Sequence, residues 1–235
     1  MPGILVSGGT YSGSGDVTCD WFVCDEVATN TVYMPDGVID CISENASNYT
    51  FQVGNTTYFY HQDGTIRISN PDDCYIYMRG KSGLSADRYP WDVDIRAGDG
   101  KRVGHGASSG WDILNDLTLN CASASGGCYS RQGGSIKDLT VIGDVLLTTG
   151  TLQTHEGDDT SPATCTFGSL HIQANGIYDA TSGITYIDYT TGLYSVIYRN
   201  SGIMIHNSGT LILNTNTDAV FGGGGGTGGP WNVIV

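Results

Sequence analysis

The chain has 235 residues, with 10 Lys and Arg against 24 Asp and Glu, a formal net charge of −14 and a pI near 4.3. So acidic a surface repels nucleic acid and anionic lipid, and no apolar run reaches membrane-spanning length, so neither is expected as a partner. A charged fraction of 14% and 35 glycines argue against a helical protein and for an all-β chain of many short strands and tight turns.

Residues 1–16 join Ile4, Leu5 and Val6 to a Gly- and Ser-rich run, which reads as a flexible N-terminal arm with an apolar tip. The start has no basic region and no apolar stretch of signal length, which predicts either a mature chain or one that needs no signal peptide. Residues 17–130 read as a β-hairpin-rich domain. Asp36-Gly37 and Asp63-Gly64 are expected to be two-residue hairpin turns, whose central positions need positive φ. Asn45, Asn48 and Asn55 each open an Asn-x-Ser/Thr triplet; in so Asn-, Ser- and Thr-rich a chain these are chance matches, or glycan sites if the protein is displayed on a cell surface.

From about 79 to 112 the pattern changes to a long loop around a strand at 93–95. Six of the ten basic residues fall here: Arg79, Lys81, Arg88, Arg96, Lys101 and Arg102. They read as solvated strand edges, or as a contact patch for an acidic neighbour. Residues 131–221 are more regular, with short strands punctuated by Gly, Asn and Asp. Gly150, Gly176 and Gly209 follow one another at 26 and 33 residues. That spacing suits a β-solenoid (β-helix), and a β-sandwich built of hairpins fits almost as well.

One pattern occurs twice. Tyr58-Phe-Tyr-His61-Gln-Asp-Gly64-Thr-Ile-Arg-Ile68 and Ile203-Met-Ile-His206-Asn-Ser-Gly209-Thr-Leu-Ile-Leu213 share strand, His, two polar residues, Gly-Thr and strand. Each predicts two paired strands joined at the glycine, with His61 and His206 as turn residues. The chain then ends in Gly222–Gly229 and the apolar group Trp231, Val233, Ile234 and Val235. These read as a tether and a C-terminal assembly arm that seats in a groove or sheet edge, on a neighbour or on its own body.

No motif assigns chemistry. The seven cysteines are odd in number, lack Cys-x-x-Cys spacing and are expected to be buried free thiols. His155-Glu156-Gly-Asp158-Asp159 is the densest polar cluster and reads as an acidic loop sooner than a calcium site. Gly104-His105-Gly106 and the late glycine run lack the Lys-Ser/Thr end of a phosphate loop, and no Gly-x-Ser-x-Gly elbow occurs. No catalytic residue, cofactor ligand or metal ligand is therefore assigned.

The run Ile136-Lys-Asp-Leu-Thr-Val-Ile-Gly-Asp-Val-Leu-Leu-Thr-Thr-Gly-Thr-Leu-Gln-Thr154 resembles repetitive β segments in virion proteins of tailed phages, of the decoration, tail and fibre types. Similar rungs occur in bacterial surface adhesins. The likeness spans 135–213 loosely and carries no functional residue across. It implies a structural, non-enzymatic subunit of a virus particle. Its partners would be further copies of itself, for instance in a trimer, and other virion proteins such as a major capsid protein. A host-surface glycan is a further candidate partner. The alternatives are an extracellular adhesin or filament subunit, and a carbohydrate-binding or carbohydrate-cleaving β-helix for which Trp91 and Trp111 would serve as surface aromatics.

Overall fold

The computed structural model describes residues 1–26, 29–44, 47–54, 57–70, 72–78, 89–105, 111–132, 135–155, 162–189, 196–215, 220–223, 226–228 and 232–235. Among them every regular element is a β-strand, and the strands wind into a parallel β-solenoid with three sheets. The chain visits the sheets in rotation. The first coil lays Ile4–Val6 on the first sheet, Thr10–Ser12 on the second and Val17–Cys19 on the third. The next returns to the first with Phe22–Cys24, in register with Ile4–Val6. On the third sheet, partners in successive coils lie 22 to 29 residues apart, from Val17 opposite Ile39 in the first coils to Val196 opposite Val220 in the last.

Strand alternation explains the core. Ile39, Ile66, Val93, Leu117, Val145 and Leu170 sit one above another inside the third sheet, and all are buried. The residue after each of them points outward. At roughly 1.5–3 kcal/mol for each large side chain fully buried, one such column contributes on the order of 10 kcal/mol gross. The other two sheets build their columns the same way, and all meet in one continuous core. Stacked aromatics reinforce it: Phe22 lies over Phe51 with ring centroids 5.0–5.1 Å from Tyr11 and Phe51 in turn.

The solenoid reading therefore extends over both halves of the chain, and the sandwich alternative fails because the strands pair in parallel. Leu117–Asn120 and Gly127–Tyr129 pair directly with the strand Leu139–Gln153, so the stack crosses residue 130 without a domain boundary. The region expected as a long loop supplies ordinary rungs at Asp92–Ile95, Arg102–His105 and Trp111–Ile113; residues 79–88 and 106–110 of it lie outside the described residues. The strands Leu139–Gln153 and Thr164–Asp179 each run through all three faces, with their mutual register shifting at the corners.

The two expected arms are coils as well. Ile4–Val6 is hydrogen-bonded to the coil above it, with Val6 buried and Leu5 exposed. At the other end Val220–Gly223 pairs with Val196–Asn200, Thr227 bridges to Ile203, and Asn232–Ile234 pairs with residues 210–212. The glycine run is thus no free tether where it is described, and the tail's backbone lies against its own body. Val233, Ile234 and Val235 nevertheless remain 44%, 54% and 98% exposed, and Trp231 lies outside the described residues.

The expected hairpins are corners. Thr57–Tyr60 pairs with Asn30–Tyr33, whereas Thr65–Ile68 pairs with Val38–Cys41 and Asp92–Ile95, so the strands flanking Gly64 lie on different sheets. The same holds at Gly209, Gly37 and, within the long strands, Gly150 and Gly176. Among the described residues the one antiparallel pair is Arg131–Gln132 with Ser135–Ile136. The twice-occurring pattern is still one turn used twice. Gln62 and Asp63 have φ of 48° and 58°, Asn207 and Ser208 of 46° and 64°. In both, the His Nδ1 accepts the N–H two residues on at 3.0 Å, and the Gly N–H donates to the His carbonyl at 2.9 and 2.8 Å.

Gly64 and Gly209 themselves lie outside the left-handed region; what they provide is room. A Cβ on Gly64 would stand 2.1 Å from the carbonyl oxygen of Pro35, one coil away, and on Gly209 2.1 Å from that of Thr181. Of the five expected turn glycines, only Gly150 has a positive φ, 118°. Gly64→Ala is therefore expected to cost about 1–3 kcal/mol by forcing two coils apart. Gly9→Ala, which meets nothing within 4 Å, should stay within about 0.5 kcal/mol of the parent. Urea midpoints of the two variants test the contrast.

Candidate functional site

The outward columns carry whatever chemistry the chain has. On the third sheet the outward residues in register are Asp40, Arg67, Asp94, Thr118, Leu146, His171 and Arg199. Arg67 Nε lies 2.8 Å and Arg96 Nη2 2.9 Å from Asp94 Oδ2, so one carboxylate holds two cations. Lys101 sits 3.7 and 3.6 Å from Asp72 and Asp73, and the Arg102 guanidinium donates to Gln153 Oε1. The described half of the expected contact patch is thus engaged with its own body. Arg79, Lys81 and Arg88 lie outside the described residues.

Aspartates line the corner before the third sheet. Asp92 Oδ1 accepts the Asp116 N–H at 3.1 Å and the Asn115 amide at 2.9 Å. Asp116 Oδ1 accepts the Asp144 N–H at 2.7 Å, and Asp144 Oδ1 the Ser169 hydroxyl at 2.6 Å. Each carboxylate ties its coil to the next. Burial raises the Asp116 carboxyl above its usual range, helped by repulsion from Asp144 and Asp92.

Beside this corner two adjoining hollows open on the third sheet. One, of about 240 Å³, is lined by Asp116, Thr118, Asp144, Leu146, His171 and Gln173. The other, of about 220 Å³, shares His171 and Gln173 and extends to Arg199 and Ser201. Together they form a shallow polar groove across successive coils. None of its residues was singled out from the sequence, because no spacing shows that Asp116, Asp144, His171 and Arg199 fall in neighbouring columns until the coil length is known.

The interior holds a second polar feature. His105 is fully buried, its ring stacked on Trp111 at 5.0 Å and 6°. Among the described residues, neither ring nitrogen of His105, nor Trp111 Nε1, has a hydrogen-bond partner. Trp111 is 2% exposed and is not the surface aromatic expected; Trp91 is half-buried and stacks on His61 at 5.2 Å. Burial pushes His105 down to about 3.

All seven cysteines are buried free thiols, as the sequence predicts. Cys19 and Cys41 are register partners with Sγ atoms 3.9 Å apart. Burial raises Cys24 to about 12 and Cys74, Cys121 and Cys165 to about 11. Among the described residues no three His, Cys, Asp or Glu converge as a metal site; Glu156, Asp158 and Asp159 lie outside them, as do Asn45 and Asn55. Asn48 sits in a left-handed turn, φ 63°, with its carbonyl accepting the Tyr75 N–H.

No family model, curated protein or solved structure matches the chain.

Two outcomes follow. An unfolded His titrates near 6.5 and the buried His105 near 3, so between these values the unfolded chain holds the extra proton. Stability is fully present above about pH 6.5 and falls as pH drops, at up to about 1.4 kcal/mol per pH unit. His105→Phe, which keeps a ring on Trp111, should flatten that slope in urea titrations between pH 7 and 4. For the thiols, an aromatic disulfide reagent should find almost none of the seven in the native protein and all of them in denaturant, read by absorbance.

Proposed function

We propose that the chain is a structural, non-enzymatic β-solenoid subunit of a virus particle, of the phage decoration or tail-associated type, working through protein–protein contacts. The observation that carries the structural part is the internal saturation of the stack. Its aspartates bind the next coil, its described basic patch is held by its own Asp and Gln side chains, and its thiols and His105 are sealed in the core. Such a body is a rigid spacer whose side chains hold it together. The virion setting rests on the resemblance of the segment 136–154, which contains the whole strand Leu139–Gln153 at the middle of the stack.

The exposed apolar residues Val233, Ile234 and Ile205 offer surface for contact with further copies or with a capsid protein. An adhesin or filament subunit on a cell surface is the second reading, favoured by the same polar exterior. Gold-labelled antibody against the chain is expected to decorate purified virus particles at regular positions in electron micrographs. Label confined to host-cell surfaces would support the adhesin reading instead, and release of reducing ends from a polysaccharide panel would overturn the non-enzymatic part.

A further inference from the structure

We propose that the groove on the third sheet is a binding site for an oligosaccharide that carries a carboxylate, with Arg199 as its charged anchor. The inference goes beyond the structural role above and is independent of where the particle or cell surface lies.

The shape points to a chain of rings. The groove crosses the coils that begin their third-sheet strands at Leu117, Val145, Leu170 and Val196, and rungs of a β-stack follow one another at about 4.8 Å. A pyranose unit advances by a similar length, so successive sugars would meet successive coils. The lining suits polyhydroxylated rings. Thr118, Gln173 and Ser201 offer hydroxyl and amide partners, and half-buried Leu146 gives an apolar spot for a ring face. Asp116 and Asp144 are each fixed by one bond to the next coil, and a carboxylate has further lone pairs to accept sugar hydroxyls.

The charge argument selects the class. The protein carries a net charge of −14, and Arg199 is the one described cation that lines the groove; Arg67, Arg96 and Lys101 are paired with aspartates and the Arg102 guanidinium is held by Gln153. Arg199 is exposed at one end of the groove and forms no ion pair with any described residue. Its register neighbour on the coil below is His171, so no carboxylate lies opposite it in the column. A guanidinium presents a planar fork that matches a carboxylate in two parallel hydrogen bonds. Nucleic acid would meet the acidic body, and an extended peptide would find no open edge here, since each of these strands is paired on both sides.

The test uses the full chain on an immobilised glycan panel containing uronate- and sialate-bearing oligosaccharides beside their methyl-esterified or desialylated counterparts. Retention is expected on carboxylated glycans only, weakening as salt rises. Arg199→Gln should lower it about tenfold or more, with an unchanged melting temperature because the side chain is outside the core. Arg96→Gln, whose residue lies outside the groove, should bind as the parent. The proposal is overturned if no glycan is retained, if neutral counterparts are retained equally, or if Arg199→Gln binds like the parent.

Discussion

The structure depends on like sitting on like across coils. Each turn of the chain sets an apolar side chain on the apolar side chain of the turn below, in parallel register, while the backbone hydrogen bonds run along the stack. Parallel sheets are commonly covered on both faces and read as unbroken apolar runs. Here the sheets turn one face to the core and the other outward, so strands such as Thr65–Ile68 and Asp92–Ile95 alternate between buried and half-buried residues. Everything else is a consequence of closing that geometry three times per turn. The corners must be tight, the coils must approach within backbone contact, and polar groups at the corners must find partners in the next coil.

The acidic composition takes on a different meaning in this light. A charge of −14 on a chain with few cations looks like a solubility device. Yet Asp16, Asp73, Asp92, Asp116 and Asp138 each accept a backbone N–H from another coil. A short carboxylate reaches the orphan donor at a corner where no ladder bond forms, and an ionised acceptor makes a stronger bond than a neutral one. Asn30 does the same for the Gly8 N–H, and Asn207 ties two coils the other way, its amide donating to Asp179 Oδ1 and the Ala180 carbonyl. The abundance of Asp and Asn is thus largely architectural, and the cations left over for external contact are few.

The strands, the absence of helical periodicity and the buried thiols were legible in the sequence, because alternation and composition report them directly. The partnering was not. Strand–Gly–strand at Gly64 and Gly209 has the same local signal whether the strands turn back on each other or step to the next face, and only the partner coil 27 or 26 residues away decides. Coil lengths vary enough to blur the period, which hid the solenoid in residues 17–130 and made Gly222–Gly229 look like a tether. The groove was illegible for the same reason. Asp116, His171 and Arg199 belong to separate coils, and His105 looked like part of a glycine-rich loop because nothing local marks its ring as stacked in the core on Trp111.

The two strands that round all three faces, Leu139–Gln153 and Thr164–Asp179, have a kinetic consequence. In a stack where each coil touches only its neighbours, order spreads from wherever two adjacent coils first join. These two are joined along nearly their whole length, with register partners from Leu139 opposite Cys165 through to Gln153 opposite Asp179. Elsewhere the described coils meet through short, separate strands. The central pair therefore makes the natural seed for folding, and its amides should be the last to exchange with solvent, so that the chain zips outward from its middle and frays inward from both ends.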